Sequence, residues 1–338
     1  MQIEPAYDYQ FQDRSLVLRV IKRPVLEPLV AMLPRRLSPN TITLTGHAVV
    51  WIAMGWLLTA ARIGAPLLIF LAVAHVLYAI ADCVDGMFAR ATQQASRLGE
   101  MLDHWLDAIT VPLVPLIFGL ALQQPGGLII ASTMVTALMH FITFDHGYRL
   151  GYVRLGPFGV IEMCLIVAAV FGVAAGVGVE CLNHPWLAGF SFPGMLMVCV
   201  ILGGLGELFF LRQLCRWPGD FVTPVVLLLE LWVWFHFGHL AVSIAGLLIV
   251  AVVVAHEGRV IAARLLQSAF LRWNLALVLV LGVAAGVSLR LDLSPQGHNR
   301  VVVMVIVYAV IIGTRDFWRT LRSVRTAKVV PAPSAVAV

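Results

Sequence analysis

The chain has 338 residues, 60% of them hydrophobic and only 12% charged, with a mean hydropathy of +0.92. Soluble domains carry about a quarter charged residues, so the composition excludes an ordinary soluble enzyme and implies a polytopic membrane protein of all-α class. The net charge of +5 says less than where Lys and Arg fall, and no nucleic-acid partner is expected.

The first ten residues, Met1 to Gln10, carry acids and lack a basic stretch followed by an apolar core, so no cleavable signal peptide is expected. From Asp8 to Leu37, apolar residues such as Leu16, Val20, Leu26 and Leu33 alternate with Arg and Lys at helical spacing. This predicts an amphipathic helix lying in the interface, broken by Pro24 and Pro34.

Apolar runs of about 20 residues, enough to span a bilayer, follow at 41–61, 64–84, 99–122, 127–145, 157–178, 191–212, 221–237, 240–258, 274–290 and 300–317. That predicts ten spans, with only Phe235-His-Phe-Gly-His239 marking a turn between the seventh and eighth. With the N-terminus inside, twenty Lys and Arg fall in cytoplasmic segments and three (Arg62, Arg290, Arg300) outside. The positive-inside rule then favours an even count with both termini inside and puts the segment 82–107 on the cytoplasmic side. The expected organisation is an N-terminal interfacial segment at 1–40, a core at 41–212, further spans at 213–328 and a patternless tail at 329–338. The five cysteines have no Cys-x-x-Cys spacing and read as unbridged thiols.

The chemistry-bearing run is Asp82-x2-Asp85-Gly86-x2-Ala89-Arg90-x8-Gly99-x3-Asp103-x3-Asp107. Asp82 and Asp85 are i and i+3, and Asp103 and Asp107 are i and i+4, so each pair shares a helix face. If the second and third spans are antiparallel neighbours, four carboxylates converge. Ionised groups at a bilayer must be paired, solvated or metal-bound. An all-oxygen set suits two Mg2+ or Mn2+ ions, which can clamp the oxygens of a phosphoryl displacement. Gly86 and Ala89 let a ligand approach the backbone, and Arg90 offers a fork for phosphate oxygens.

This run resembles the signature of the CDP-alcohol phosphotransferase (phosphatidyltransferase) family, membrane enzymes that cleave a CDP-alcohol and pass its phospho-group to a second alcohol. Tyr7-Asp-Tyr9, the stretch from Leu33 to Thr43, Leu98 to His104, Phe158 to Glu162 and Val252 to His256 resemble the choline/ethanolaminephosphotransferase branch, which has ten spans around a six-helix core. The resemblance implies that Asp82, Asp85 and Asp103 hold metal, with Asp107 sharing the second ion and acting as the base. It also implies that Asp82, Gly86, Ala89, Arg90 and Asn40 line the CDP site, with Gly99, Glu100, His104 and Glu162 near substrate or behind it. Phosphocholine or phosphoethanolamine would pass to a lipid hydroxyl such as that of diacylglycerol, releasing CMP, in a homodimer. The branch has Gly and Ser near the last acid where this chain has Trp105 and Ala108; Trp105 is therefore expected to narrow the head-group space.

Two rivals remain. One is a CDP-diacylglycerol-dependent enzyme with a small polar acceptor. The other is a divalent-cation transporter, disfavoured because the acids gather at one membrane surface rather than the midplane. His47, His75 and His140 are read as core residues, and His146 and His256 as loop-edge residues near head groups. Gly203-Gly-Leu-Gly206 and Val283-Ala-Ala-Gly286 are read as tight helix-packing faces. Short loops favour a bacterial inner membrane over the endoplasmic reticulum.

Overall fold

The structure, a computed structural model, describes residues 11–12, 14–150, 153–154, 156, 158–212, 222–266 and 274–326. The Tyr7 to Tyr9 motif, Cys215 and the tail after Lys328 lie outside the described residues, as does the side chain of His146.

Two short helices, α1 (Leu16–Ile21) and α2 (Glu27–Met32), are joined by a wide π-turn over Lys22–Leu26. The expected break at Pro24 is thus absorbed differently. Proline has no N–H to give to a helical ladder, and the wider turn carries the chain through it without stopping. Leu16, Val20 and Met32 stay exposed while Leu26 is buried, as an interfacial segment requires.

Ten helices then occupy the ten predicted runs: α3 (Pro39–Thr59), α4 (Ala65–Ala91), α5 (Arg97–Ala121), α6 (Gly126–Leu150) and α7 (Val160–Val177), followed after the one-turn α8 (Val179–Leu182) by α9 (Phe192–Arg212), α10 (Val222–Phe237), α11 (Val242–Leu265), α12 (Leu275–Arg290) and α13 (Pro295–Thr326). Among the described residues, eight of these are long and apolar enough to cross a bilayer, so the chain is an integral membrane protein. The other two, α10 and α12, have 16 residues each, about 24 Å at 1.5 Å per residue against a hydrocarbon core of about 30 Å. The turn between α10 and α11 falls where predicted, with Gly238 N–H donating to Trp234 O and His239 at φ 48°.

The only strand pairings among the described residues are two small ladders: Phe11–Gln12 beside Val153–Arg154, and Pro185–Leu187 paired with Phe190–Ser191. The second is a hairpin whose turn residues, Ala188 and Gly189, both take positive φ (51° and 80°), the geometry a two-residue turn demands. The pairing matches the right-handed twist of the strands, which offsets the cost of a left-handed alanine.

Helix α5 is the hub, the most deeply buried of the eight long apolar helices. One core packs α3, α4, α5 and α7 together; a second joins α6 to α10, α11, α12 and α13. Glycines set the closest approaches. A Cβ at Gly246 of α11 would lie 2.4 Å from Leu116 of α5, and one at Gly204 of α9 would lie 2.3 Å from Val135 of α6. Gly203, Gly206 and Gly286 have open space instead, so among the glycines of those two stretches Gly204 alone marks a close helix contact, while Ala285 packs into the second core.

Candidate functional site

Helices α4 and α5 are antiparallel neighbours joined by a tight turn at residues 92–96, where Gln93 takes φ 59°. Asp85 and Asp103 each sit six residues from the turn end of their helix, and Asp82 and Asp107 nine and ten. Equal depth on facing helices brings the pairs together. All four line one cavity of about 1240 Å3, and Asp103 lies within electrostatic reach of Asp85, Asp107 and Asp82.

Two of the acids, Asp85 and Asp107, are held by named neighbours. Gly46 of α3 is so close to α4 that a Cβ there would lie 2.6 Å from the Ala81 Cβ. That approach lets the Thr43 hydroxyl donate to Asp85 Oδ2, while the Gly86 N–H donates to Asp85 Oδ1. The Tyr78 hydroxyl donates to Asp107 Oδ1 at 2.6 Å, and His47 Nε2 stands 3.8 Å from the same oxygen. His47 Nδ1 in turn meets the Thr110 hydroxyl at 2.7 Å, and that hydroxyl accepts the Trp51 indole N–H at 3.0 Å.

The donor set suits a hard divalent cation. Four carboxylates face one space, and Asp103 Oδ1 is buried with no hydrogen-bond partner among the described residues. Ligand atoms of His47, Asp103 and Asp107 lie within 4.8 Å of one another, which adds a nitrogen donor that Mn2+ accepts more readily than Mg2+.

Next to the acids, the Arg90 guanidinium lies over Gly86, where a Cβ would come 3.2 Å from its Nη1. Asn40 Oδ1 lies 3.3 Å from where a Cβ of Gly99 would be, at the start of α5 capped by Ser96. Asn40, Gly86, Ala89, Arg90, Gly99, Glu100 and His104 all border the cavity with the four acids. His104 Nδ1 is 4.0 Å from Glu100 Oε1. From this polar end the cavity continues between α5, α6 and α9 along Val114, Phe118, Val135, Met139 and Val200.

Glu162 stands apart from this lining. Its Oε2 accepts the Gly159 N–H at 2.8 Å, capping α7, and its Oε1 accepts from the Ser15 hydroxyl and Val17 N–H. It ties the N-terminal segment to the core. Trp105, expected to narrow the head-group space, faces the other way. It lies about 200° round the helix from Asp103 and Asp107 and is buried against Ile261, Leu265 and Leu321, with its ring edge on to Phe317. His256 is buried inside α11 with its ring 4.9 Å from that of Phe141, a core position rather than a loop edge. His140, expected in the core, is only half-buried and faces an acid, its Nδ1 2.8 Å from Glu257 Oε1. His75 Nδ1 donates to Leu71 O at 2.7 Å within its own helix.

His47, Thr43 and Tyr78 were missed as site residues. Their signal is periodicity: Asn40, Thr43 and His47 are i, i+3 and i+7 on α3, and Tyr78 is one turn before Asp82 on α4.

Comparison with known proteins agrees with this geometry. The family described as CDP-alcohol phosphatidyltransferase matches residues 36–207. A cholinephosphotransferase 1 of Xenopus laevis is 30% identical over 184 residues, 52% of this chain and 45% of that one. A choline/ethanolaminephosphotransferase 1 of Saccharomyces cerevisiae is 28% identical over 196 residues, 54% and 48% of the two chains. An ethanolaminephosphotransferase 1 of Homo sapiens is 26% identical over 211 residues, 58% and 53%. The matched stretch thus spans about half the length of these relatives. With the family matched across α3 to α9, where the four acids and the cavity lie, the chain belongs to the CDP-alcohol phosphatidyltransferase family.

Proposed function

We propose that the chain transfers a phospho-alcohol, of phosphocholine or phosphoethanolamine type, from a CDP-alcohol to a lipid hydroxyl such as that of diacylglycerol, releasing CMP. One observation carries the reading: a single cavity has four carboxylates and Arg90 at one end and an apolar arm between α5, α6 and α9 at the other. A charged nucleotide and an acyl chain need those two linings, and their meeting point is where the acids stand.

Asp82, Asp85, Asp103 and Asp107 would hold two Mg2+ or Mn2+ ions. Bound there, the ions would supply positive charge against the pyrophosphate oxygens. Arg90 grips phosphate oxygens, its fork fixed over Gly86. The acceptor oxygen attacks the phosphorus that bears the alcohol, the bond from that phosphorus to the CMP oxygen breaks, and the acceptor proton passes to a carboxylate oxygen of Asp107. Tyr78 and His47 both address Oδ1 of Asp107, which leaves Oδ2 for that proton.

A second reading gives the proton to His104, which lines the same cavity with Glu100 beside it. Asp107→Asn and His104→Gln separate the two, since only loss of the base should abolish turnover while CDP-alcohol still binds. Short loops favour a bacterial membrane and the eukaryotic relatives favour an endomembrane; the active site faces the cytoplasm in either. Membrane lipid and a second copy of the chain are the remaining partners of this reading.

The test is to incubate purified chain with Mg2+ or Mn2+, diacylglycerol and a panel of labelled CDP-alcohols, with CDP-diacylglycerol plus small alcohols as a parallel arm. A phospholipid carrying one head group supports the reading and names the alcohol. Product only in the CDP-diacylglycerol arm would move the chain to the other substrate class. No product in either arm would return it to a cation transporter.

A further inference from the structure

Helix α11 lies beyond residues 36–207, yet one face of it reaches the cavity wall. Its Glu257, fully buried, stands 2.8 Å from His140 Nδ1. Two turns on, Arg264 Nε lies 3.3 Å from Glu100 Oε1, the same oxygen that is 4.0 Å from His104 Nδ1. Positions i and i+7 share a helix face, so both charged groups point the same way. His140 and His104 both line the cavity, and both rings pack on Phe144, at 4.7 and 4.5 Å.

Gly258 makes this approach possible. A Cβ there would lie 2.5 Å from the Trp105 ring, so α11 sits against α5 more closely than any other residue allows. Burying a carboxylate and a guanidinium in apolar helix costs several kcal/mol each unless they are paired. Here Glu257 is paired with a cavity-wall histidine and Arg264 with a cavity-wall glutamate.

We infer that α11 braces the wall of the reaction chamber from behind and that Glu257 and Arg264 are positioning residues, the first fixing His140 and the second fixing Glu100 and through it His104. The inference rests on the phosphotransfer reading above. It makes the helices beyond the matched family segment part of the working site.

The test uses the full chain with Arg264→Gln, Arg264→Lys and Glu257→Gln, measuring thermal midpoint, CDP-alcohol affinity by calorimetry, and kcat and KM separately. Arg264→Gln and Glu257→Gln should lower kcat about tenfold or more, while CDP-alcohol affinity stays within about threefold of wild type. Arg264→Lys, which keeps the charge, should recover part of the loss. The inference is overturned if kcat is unchanged. It is equally overturned if kcat, affinity and midpoint fall together with no recovery by Lys, the pattern of a packing defect. A wild-type chain with no turnover would overturn it by another arm, through failure of the phosphotransfer reading itself.

Discussion

The Tyr78 hydroxyl donates to Asp107 Oδ1 at 2.6 Å, joining the middle of α4 to the deepest acid of α5. Tyr78 is 1% exposed, so water cannot replace that bond. A hydrogen bond to a charged group is worth about 1.5–3 kcal/mol. Tyr78→Phe should therefore lower kcat about tenfold or more and leave KM for the CDP-alcohol nearly unchanged. Steady-state kinetics with the nucleotide varied measure both. A rise in KM at constant kcat would show that Tyr78 serves nucleotide binding instead.

Arg90 lies over Gly86 with its fork toward the cavity. A lysine keeps the charge and loses the planar pair of donors. Arg90→Lys should raise KM for the CDP-alcohol about tenfold, with a smaller effect on kcat. Equal KM for the two proteins would place the pyrophosphate elsewhere.

Gly46 fixes the distance between α3 and α4, since a Cβ there would meet Ala81 at 2.6 Å. Both contacts are helix-borne, so neither side can give way cheaply. Gly46→Val should destabilise by about 1–3 kcal/mol and also reduce activity, because the same approach delivers Thr43 to Asp85. Thermal unfolding and turnover read the two effects. Full activity in a destabilised variant would detach Thr43 from the site.

Trp105 packs against Gly258 and Phe317, away from the cavity. Trp105→Phe should cost stability through the lost ring volume and leave the preference among CDP-alcohols unchanged. Competition between labelled head groups checks this. A changed head-group preference would return Trp105 to the role its position between Asp103 and Asp107 suggested.

How far the sequence was legible depended on the range of the interaction. The pairing of Asp82 with Asp85 and of Asp103 with Asp107 is a local consequence of helix periodicity, and so were the ten helices. Thr43, His47 and Tyr78 matter because α3 comes within contact of α4 and α5, which a single helix pattern does not specify. Glu257 and Arg264 are more distant still, reaching His140 and Glu100 only because Gly258 lets α11 touch α5. Trp105 was misread for the converse reason. Adjacency in sequence to two site acids places a helical residue on the opposite face. Pro24 was read as a break because the sequence shows its missing donor but not the π-turn that accommodates it.

The most direct test of the central claim is to quantify CMP and lipid product together, for wild type and Asp103→Asn, with and without Mn2+. The account predicts that CMP and a phospholipid appear in equal amounts from wild type with Mn2+, and that both vanish on removing the metal or the Asp103 carboxylate. CMP without phospholipid, or phospholipid formed undiminished by Asp103→Asn, would contradict it.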